Sequence, residues 1–451
     1  MPPRALFRLF PFAARLSRWL DQRFATSGRL MLGVLVTGAI LGIDIGQTLA
    51  YQLAVLAFAL LSSSFILSLR WRPRLKVRRI LPNMVTAGLA SHYWLEITNR
   101  GSRIESELSI QDNLIQPSLS LQRFKTLRTS ATQIGGNWFD SAVGFPRWVT
   151  LRRRERGAEI VAMPIPPIAP GATVRVRIEL TALRRGWLRF AGLRLLRPDP
   201  LGLCRARANI PLADQLLALP RRHPLPRIRL LSERRYQPGG LSLAHAVGDS
   251  QEFAALRDYQ PGDPQRHIHW RSFAKTGTLI VKQYQDEYFD RHALVVDTRL
   301  AATPQRFEAV IEVAASVVGG TRPQDSILDL VIAGSDVLEL KAGRGLGDSL
   351  RALTYLAEAT AMPGDDCAAL AAVLRTRINR LASVILVFGH YDAARRALVD
   401  ELRSHDLPTL CLLVVSETDS NAHSDDERAH PLSRLRVEHL AADLARLDGA
   451  S

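Results

Sequence analysis

Apolar and polar positions follow three successive regimes along the chain. The first is unbroken hydrophobicity. Leu30 to Ile43 reads LMLGVLVTGAILGI, and Leu49 to Leu69 carries no charge at all, with only Asp44 to Gln47 as a turn between them. A bilayer needs roughly 20 apolar residues per helix, which the second run supplies, whereas the first reaches that length only by borrowing Phe24 to Gly28 with Arg29 snorkelling. The pattern predicts a transmembrane helical hairpin over residues 30–69.

The second regime, residues 70–225, is short alternation. Ser91 to Thr98 (SHYWLEIT) stops at the turn signal Asn99-Arg100-Gly101, and Ser106 to Ile110 follows it. In Ala172 to Leu180, Val174, Val176 and Ile178 alternate with polar residues, the period of a half-buried strand. No helical period intrudes, so an antiparallel β-sandwich with Greek-key connections is expected, with residues 111–162 as an insertion. Trp138, Phe139 and Trp148 in that insertion are read as core or membrane-edge anchors.

The third regime alternates strand and helix. Ala293 to Asp297, Ile327 to Ala333, Val384 to Phe388 and Thr409 to Val415 are apolar runs of strand length. Between them Gln305 to Val318 places Phe307, Val310, Ile311, Ala314 and Val317 on one helical face, and Asp392 to Ser404 forms another helix. Such βαβ alternation predicts a largely parallel sheet covered on both faces over residues 291–415. Residues 416–451 read as a polar linker, with SETDSNAHSDDER solvated or disordered, and a short amphipathic helix from Leu432 to Leu447.

Charge sharpens the topology. The formal net charge is +16 and the pI about 10.6. Only five of the 59 basic residues are Lys, so arginine is a habit of composition and not a mark of phosphate binding. Two basic clusters flank the apolar runs: residues 1–29, with Arg4, Arg8, Arg15, Arg18, Arg23 and Arg29, and then Arg70, Arg72, Arg74, Lys76, Arg78 and Arg79. Cations accumulate on the cytoplasmic side, so both ends are placed there, in a bacterial inner membrane with two spans and the bulk of the chain cytoplasmic. One span with an interfacial helix is the alternative and would put the bulk outside. Lipid bilayer and other membrane proteins are expected partners; nucleic acid is not. Cys204, Cys367 and Cys411 stand far apart in apolar contexts, as free thiols in a reducing compartment would.

The densest chemistry lies in residues 226–290, within Gly248 to Tyr284: GDSQEFAALRDYQPGDPQRHIHWRSFAKTGTLIVKQY. Pro261-Gly262-Asp263-Pro264 is a turn. If Arg266 to Trp270 is extended, His267 and His269 share a face, but a zinc site needs three or four close ligands and none is spaced nearby. Arg forks bind carboxylates bidentately, so Arg257, Asp258, Asp263, Arg266 and Arg271 are read as an ion-pair network. Arg257, Tyr259, Asp263, Arg266, Trp270 and Arg271 are the candidate residues for joining domains or meeting a partner.

The RRGW strand at Arg184 to Trp187, the DPLGL turn at Asp199 to Leu203 and the long central motif resemble the bacterial domain of unknown function family fifty-eight. The resemblance implies a von Willebrand factor A-like α/β domain and association with a MoxR-type AAA+ ATPase. That plan carries a metal site where its first strand ends in DxSxS, with two hydroxyls and carboxylates as hard ligands. Here the segment is Asp297-Thr298-Arg299-Leu300-Ala301: Arg299 brings a positive charge and Ala301 no ligand, so the site is degenerate and no metal or cofactor is expected. Asp365 or Asp366 offers at most one more carboxylate. Gly343, Gly345 and Gly347 lack the Lys and Ser/Thr of a phosphate loop.

With no nucleophile pair, metal set or phosphate loop, no catalytic residue is assigned. The expected function is a non-enzymatic, membrane-anchored cytoplasmic interaction or assembly module acting with the MoxR-type ATPase on an envelope or redox complex. The alternatives are an enzyme using the carboxylates of Asp258 and Asp263, and a metal-dependent ligand-binding von Willebrand factor A domain.

Overall fold

The computed structural model describes residues 4–41, 48–115, 148–226 (apart from 151, 153 and 154), 251–299 (apart from 264 and 287–289), 304–320, 326–333, 337–340, 346–362, 367–416 and 432–447. The chain divides into two compact units, Met1–Arg221 with Thr354–Glu358, and Arg222–Leu353 with Ala359–Ser451.

The first unit opens with three helices, α1 (Arg4–Arg23), α2 (Thr26–Leu41) and α3 (Thr48–Leu69). Among the described residues α3 alone is long and apolar enough to cross a membrane, over Leu49–Leu69; α2 is apolar but shorter. The expected extension of the first run through Phe24 does not occur, because Phe24 leaves the helix to form a bridge with Cys204. Helices α2 and α3 meet closely at Gly38, where an added Cβ would lie 3.1 Å from the Ala50 carbonyl oxygen and 3.2 Å from the Ala54 Cβ.

A β-sandwich follows. One sheet has the order β1 (Leu75–Ile80), β3 (Ala90–Asn99), β7 (Thr173–Ala182), β5 (Ala158–Ile160); the other runs β2 (Met84–Thr86), β9 (Arg205–Leu219), β8 (Gly186–Pro198), β4 (Leu108–Leu114), β6 (Met163–Ile165). All pairings are antiparallel except β2 with β9. Alternate side chains of both sheets, among them Leu95, Ile97, Ile110, Ile178, Phe190 and Leu195, fill one core. The expected insertion is narrower than residues 111–162, since 111–114 complete β4 and 158–160 form β5; Trp138 and Phe139 lie outside the described residues, and Trp148 is buried. Arg79, assigned above to a membrane-flanking cluster, instead points into this core, because β1 alternates and its Val77 and Arg79 share the inward face. Its guanidinium meets both Asp112 oxygens (Nε–Oδ2 3.0 Å, NH2–Oδ1 2.8 Å), reaches Asp214 at 2.5 Å, and stacks on Phe190 at 4.4 Å. The Tyr93 hydroxyl donates to Asp112 Oδ2 at 2.6 Å, and burial followed by the Asp112 charge raises the phenol above its ordinary value.

The DPLGL turn docks on the helices. Asp199 accepts from the Cys204 amide (2.8 Å), the Leu201 amide (3.1 Å) and the buried Ser64 hydroxyl of α3 (2.7 Å). The Leu203 carbonyl then accepts from the Ala25 amide at 2.9 Å, and Phe24, Leu61, Leu203 and Cys204 form a small apolar cluster.

The second unit holds a six-stranded sheet, ordered β14 (Val337–Leu340), β13 (Ser326–Ala333), β12 (Asp290–Asp297), β15 (Ser383–Phe388), β16 (Thr409–Val415), β17 (Leu432–Arg436). All neighbours are parallel except β13 with β14. Helices α5 (Pro304–Gly320), α6 (Leu346–Glu358), α7 (Ala368–Arg375) and α8 (Ala393–Ser404) connect the strands, and α9 (Leu440–Ala445) ends the unit. Residues 432–436, read from sequence as the start of a helix, are the sixth strand of the sheet, parallel to β16: Leu435 is buried against the sheet while the rest of the segment is half-exposed, which leaves no strand alternation to read. Helix α8 begins on Asp392, whose carboxylate caps the Arg395 amide at 2.9 Å.

Removing one member of a buried ion pair strands the other. Arg79→Ala is expected to lower the unfolding free energy by about 3–5 kcal/mol. Replacing Arg79 and Asp112 together with Met and Leu should cost less than the single change, as read by denaturant unfolding of the detergent-solubilised protein.

Candidate functional site

In an open α/β sheet, ligands bind at the carboxyl ends of the strands where the order of connection reverses. Here β12 connects outward to β13 on one side, and the chain returns to β15 on the other, so that point lies between the ends of β12 and β15. Asp297 ends β12; Gly389, His390 and Asp392 follow β15.

Arg395, from the first turn of α8, occupies this crevice with a side chain fully removed from solvent. Its Nε and NH2 donate to Asp297 Oδ2 at 2.7 and 2.5 Å, and its NH1 to Asp392 Oδ2 at 2.7 Å. The remaining Asp297 oxygen accepts the Arg299 amide at 2.9 Å. Asp392 spends its other oxygen on the helix cap. Among the described residues, the two carboxylates at this point, Asp297 and Asp392, are therefore already paired with a guanidinium, whose planar fork suits two carboxylates better than a hydrated ammonium would. The Arg395 position on α8 explains the burial: Arg395, Leu398, Val399 and Leu402 line the helix face that packs on the sheet.

Of the metal residues considered from sequence, Asp297 and Arg299 sit together at the end of β12. Arg299 contributes its backbone, with its amide on Asp297 and its carbonyl 3.4 Å from Arg395 NH2. Ala301, Asp365 and Asp366 lie outside the described residues, as do Gly343 and Gly345, and Gly347 is in the first turn of α6. Among the described residues no three His, Cys, Asp or Glu side chains converge on a point. Arg395 was not foreseen; the available signal was a charged residue at an apolar helical position three residues after a capping Asp.

The central motif folds as an arm. Strands β10 (Gln251–Asp258) and β11 (Ile280–Asp286) pair antiparallel, and between them lie a 3₁₀ turn at Gln265–His267 and helix α4 (Trp270–Thr276). Arg266 to Trp270 is thus not extended, and His267 and His269 do not share a strand face; His269 Nδ1 lies 2.6 Å from the Ser272 hydroxyl. Gly262, with φ of 108°, and Pro261 before it turn the chain tightly, and a helical turn follows at Gln265–His267.

Among the described residues, the expected charge network is represented by one clamp. Arg257 holds Asp263 bidentately, NH1–Oδ2 at 2.7 Å and NH2–Oδ1 at 2.6 Å, and the Gln260 amide adds a third bond at 2.9 Å. The Arg257 bond, followed by that amide, holds the Asp263 carboxyl below its usual range. Tyr259 donates its amide to the Leu279 carbonyl, which closes the base of the loop. Ile268 and Val281 pin the turn to β11 and are buried, while Arg266, Trp270 and Arg271 stay exposed. Leu256, Phe273 and Leu279 are exposed with Trp270, at 43%, 38%, 37% and 60%, an apolar share that a two-stranded arm has no core to cover.

Residues 255–419 match the family model described as "Protein of unknown function DUF58", so the resemblance read from the central motif holds from the arm through the fifth strand of the sheet. Over 142 residues the chain is 28% identical to the "Uncharacterized protein YeaD" of Bacillus subtilis (strain 168), covering 31% of this chain and 34% of that one. The chain thus aligns with about a third of the length of the curated relative it matches. Among solved structures, the "ASH / PapD-like domain of human CEP192 (PapD-like domain 7)" aligns with 33% of this chain and 86% of its own at 9% identity, with a TM-score of 0.17, which carries no inference.

The buried pair has a direct energetic signature. Arg395→Ala leaves Asp297 unpaired and is expected to cost about 3–5 kcal/mol. Arg395→Met combined with Asp297→Leu should restore part of that loss, and equal losses in the single and double variants would show that the pair does not act as a unit. Thermal and denaturant unfolding of each variant provide the comparison.

Proposed function

We propose that the protein is a membrane-anchored interaction or assembly module without an enzymatic reaction of its own. The observation that carries this reading is the occupied crevice: the place where an α/β sheet ordinarily receives a ligand or metal is filled by Arg395 and sealed by Asp297 and Asp392. What the fold leaves open instead is the arm, with Trp270 and Phe273 stacked edge to face at 6.1 Å beside the exposed Arg266 and Arg271. Aromatic residues and arginine carry most of the energy in protein interfaces. The enzyme alternative is weaker because Asp263 is already held by Arg257 and the turn amide.

The family resemblance supports a von Willebrand factor A-like identity for the α/β sheet, with a degenerate metal site, and a MoxR-type AAA+ ATPase as the partner acting with it on an envelope or redox complex. Membrane anchoring is supported by α3 and by exposed apolar side chains along α2 and α3, such as Leu30, Ile40, Leu49 and Phe58. With α2 as a second, shorter span, the flanking arginines favour a cytoplasmic bulk.

Two measurements bear on this reading. Affinity purification from mildly detergent-solubilised cells should retain an AAA+ ATPase with the wild-type protein and lose it with Trp270→Ala/Phe273→Ala, while both proteins unfold at the same temperature; equal recovery would remove the arm from the interface. A periplasm-dependent phosphatase fused after Ser451 should be inactive, and an active fusion would reverse the topology.

A further inference from the structure

Helix α1 has a use that neither the arm nor the sheet explains. On one side it presents Leu9, Phe12, Leu16 and Trp19 to solvent, at spacings of three and four residues that align them in a stripe. Phe10 and Ala14 are buried on another face. Between α1 and the sandwich lies a cleft of about 280 Å³, lined from α1 by Arg15 and Arg18, from the turn before β5 by Arg156, and from β8 and β9 by Arg194 and Arg207.

Five guanidiniums around one cleft repel one another. Burial, then Arg156 and Arg15, lowers Arg18 below the ordinary arginine value, and burial, then Arg207 and Arg18, does the same to Arg194. The carboxylate that reaches the cleft is Asp112, and it is already held by Arg79 and Tyr93 from the core side. No other Asp or Glu lines the cleft among the described residues. The Arg156 Nε is buried without a hydrogen-bond partner among the described residues, a donor whose orphaning costs free energy unless another group meets it.

We propose that this cleft binds the phosphate of an anionic phospholipid headgroup. The same helix that contributes Arg15 and Arg18 carries the apolar stripe, the arrangement of a helix lying in a membrane interface with its cations at headgroup depth. The chain then runs directly into α2 and α3, so the cleft belongs to the part of the protein nearest those apolar helices. Arginine forks match phosphate oxygens bidentately, and a cleft of this volume admits a headgroup but not a folded partner. The proposal rests on the membrane reading of α3 and adds to it a preference for lipid charge.

The test uses the full-length protein reconstituted into vesicles of phosphatidylcholine alone or of an equimolar mixture with phosphatidylglycerol, followed by native mass spectrometry of the lipid it retains. Wild type should retain phosphatidylglycerol about thirtyfold more than Arg18→Gln/Arg194→Gln, the factor expected from two cations near an anionic surface. Arg18→Lys/Arg194→Lys should keep most of the preference, and Arg351→Gln, an exposed arginine of the other unit, should keep all of it. Equal retention of the two lipids by wild type, or equal displacement of phosphatidylglycerol by inorganic phosphate, would overturn the assignment. Loss of the wild-type protein from pure phosphatidylcholine vesicles after alkaline washing would instead overturn the membrane reading itself. Unchanged circular dichroism of the Gln variant separates lost binding from lost folding.

Discussion

The guanidinium of Arg395 sits out of water between two carboxylates at the carboxyl ends of the central strands β12 and β15, and much of that unit follows from it. A buried charge survives only where its donors are met, so the end of β12, the loop after β15 and the first turn of α8 have to keep fixed mutual positions. Asp392 serves twice, as cap for the helix and as second carboxylate for Arg395, which couples helix initiation to occupation of the crevice. The sandwich repeats the device with Arg79, Asp112, Tyr93 and Asp214. Each unit thus has an arginine where an apolar residue would be expected, and each carries the register of the strands that deliver its partners.

How much of this was visible in the sequence depends on the period. The sandwich strands from Ala90 and Thr173 and the sheet strands at Ser326, Ser383 and Thr409 were legible because their apolar positions repeat at two or run unbroken. Strand β17 was not, because half-exposure over Leu432–Arg436 leaves no clear period and parallel pairing with β16 is a non-local fact. At the candidate site, sequence pointed to Asp297 and Arg299, and both are there, Arg299 with its backbone amide on Asp297 and its carbonyl near Arg395. The residue that fills the crevice is 98 positions away in sequence. Arg79 and Arg395 were both hidden by the same assumption, that a charge in a strand or helix marks the solvent side.

The arm shows a different limit. Its residues were picked out by density of charge; among the described residues Arg257 and Asp263 form a tight pair, and the exposed face of the hairpin carries Trp270 and Phe273 with Arg266 and Arg271. Composition announced the segment, and the fold decides which of its side chains stand on the open face. Turn geometry at Pro261–Gly262 decided the matter, since it converts an expected strand into a helical turn and swings Trp270 outward.

The docking of the Asp199–Leu203 turn on the helices leaves no slack. At Gly28, a single added carbon would stand 1.9 Å from the Leu203 carbonyl oxygen, and Ser64 is tied to Asp199 from the neighbouring helix. Helix and turn are therefore packed as one body. Were α2 or α3 to change tilt, this turn would offer no slack to absorb the change before the sandwich, so the first unit has the mechanical character of a lever.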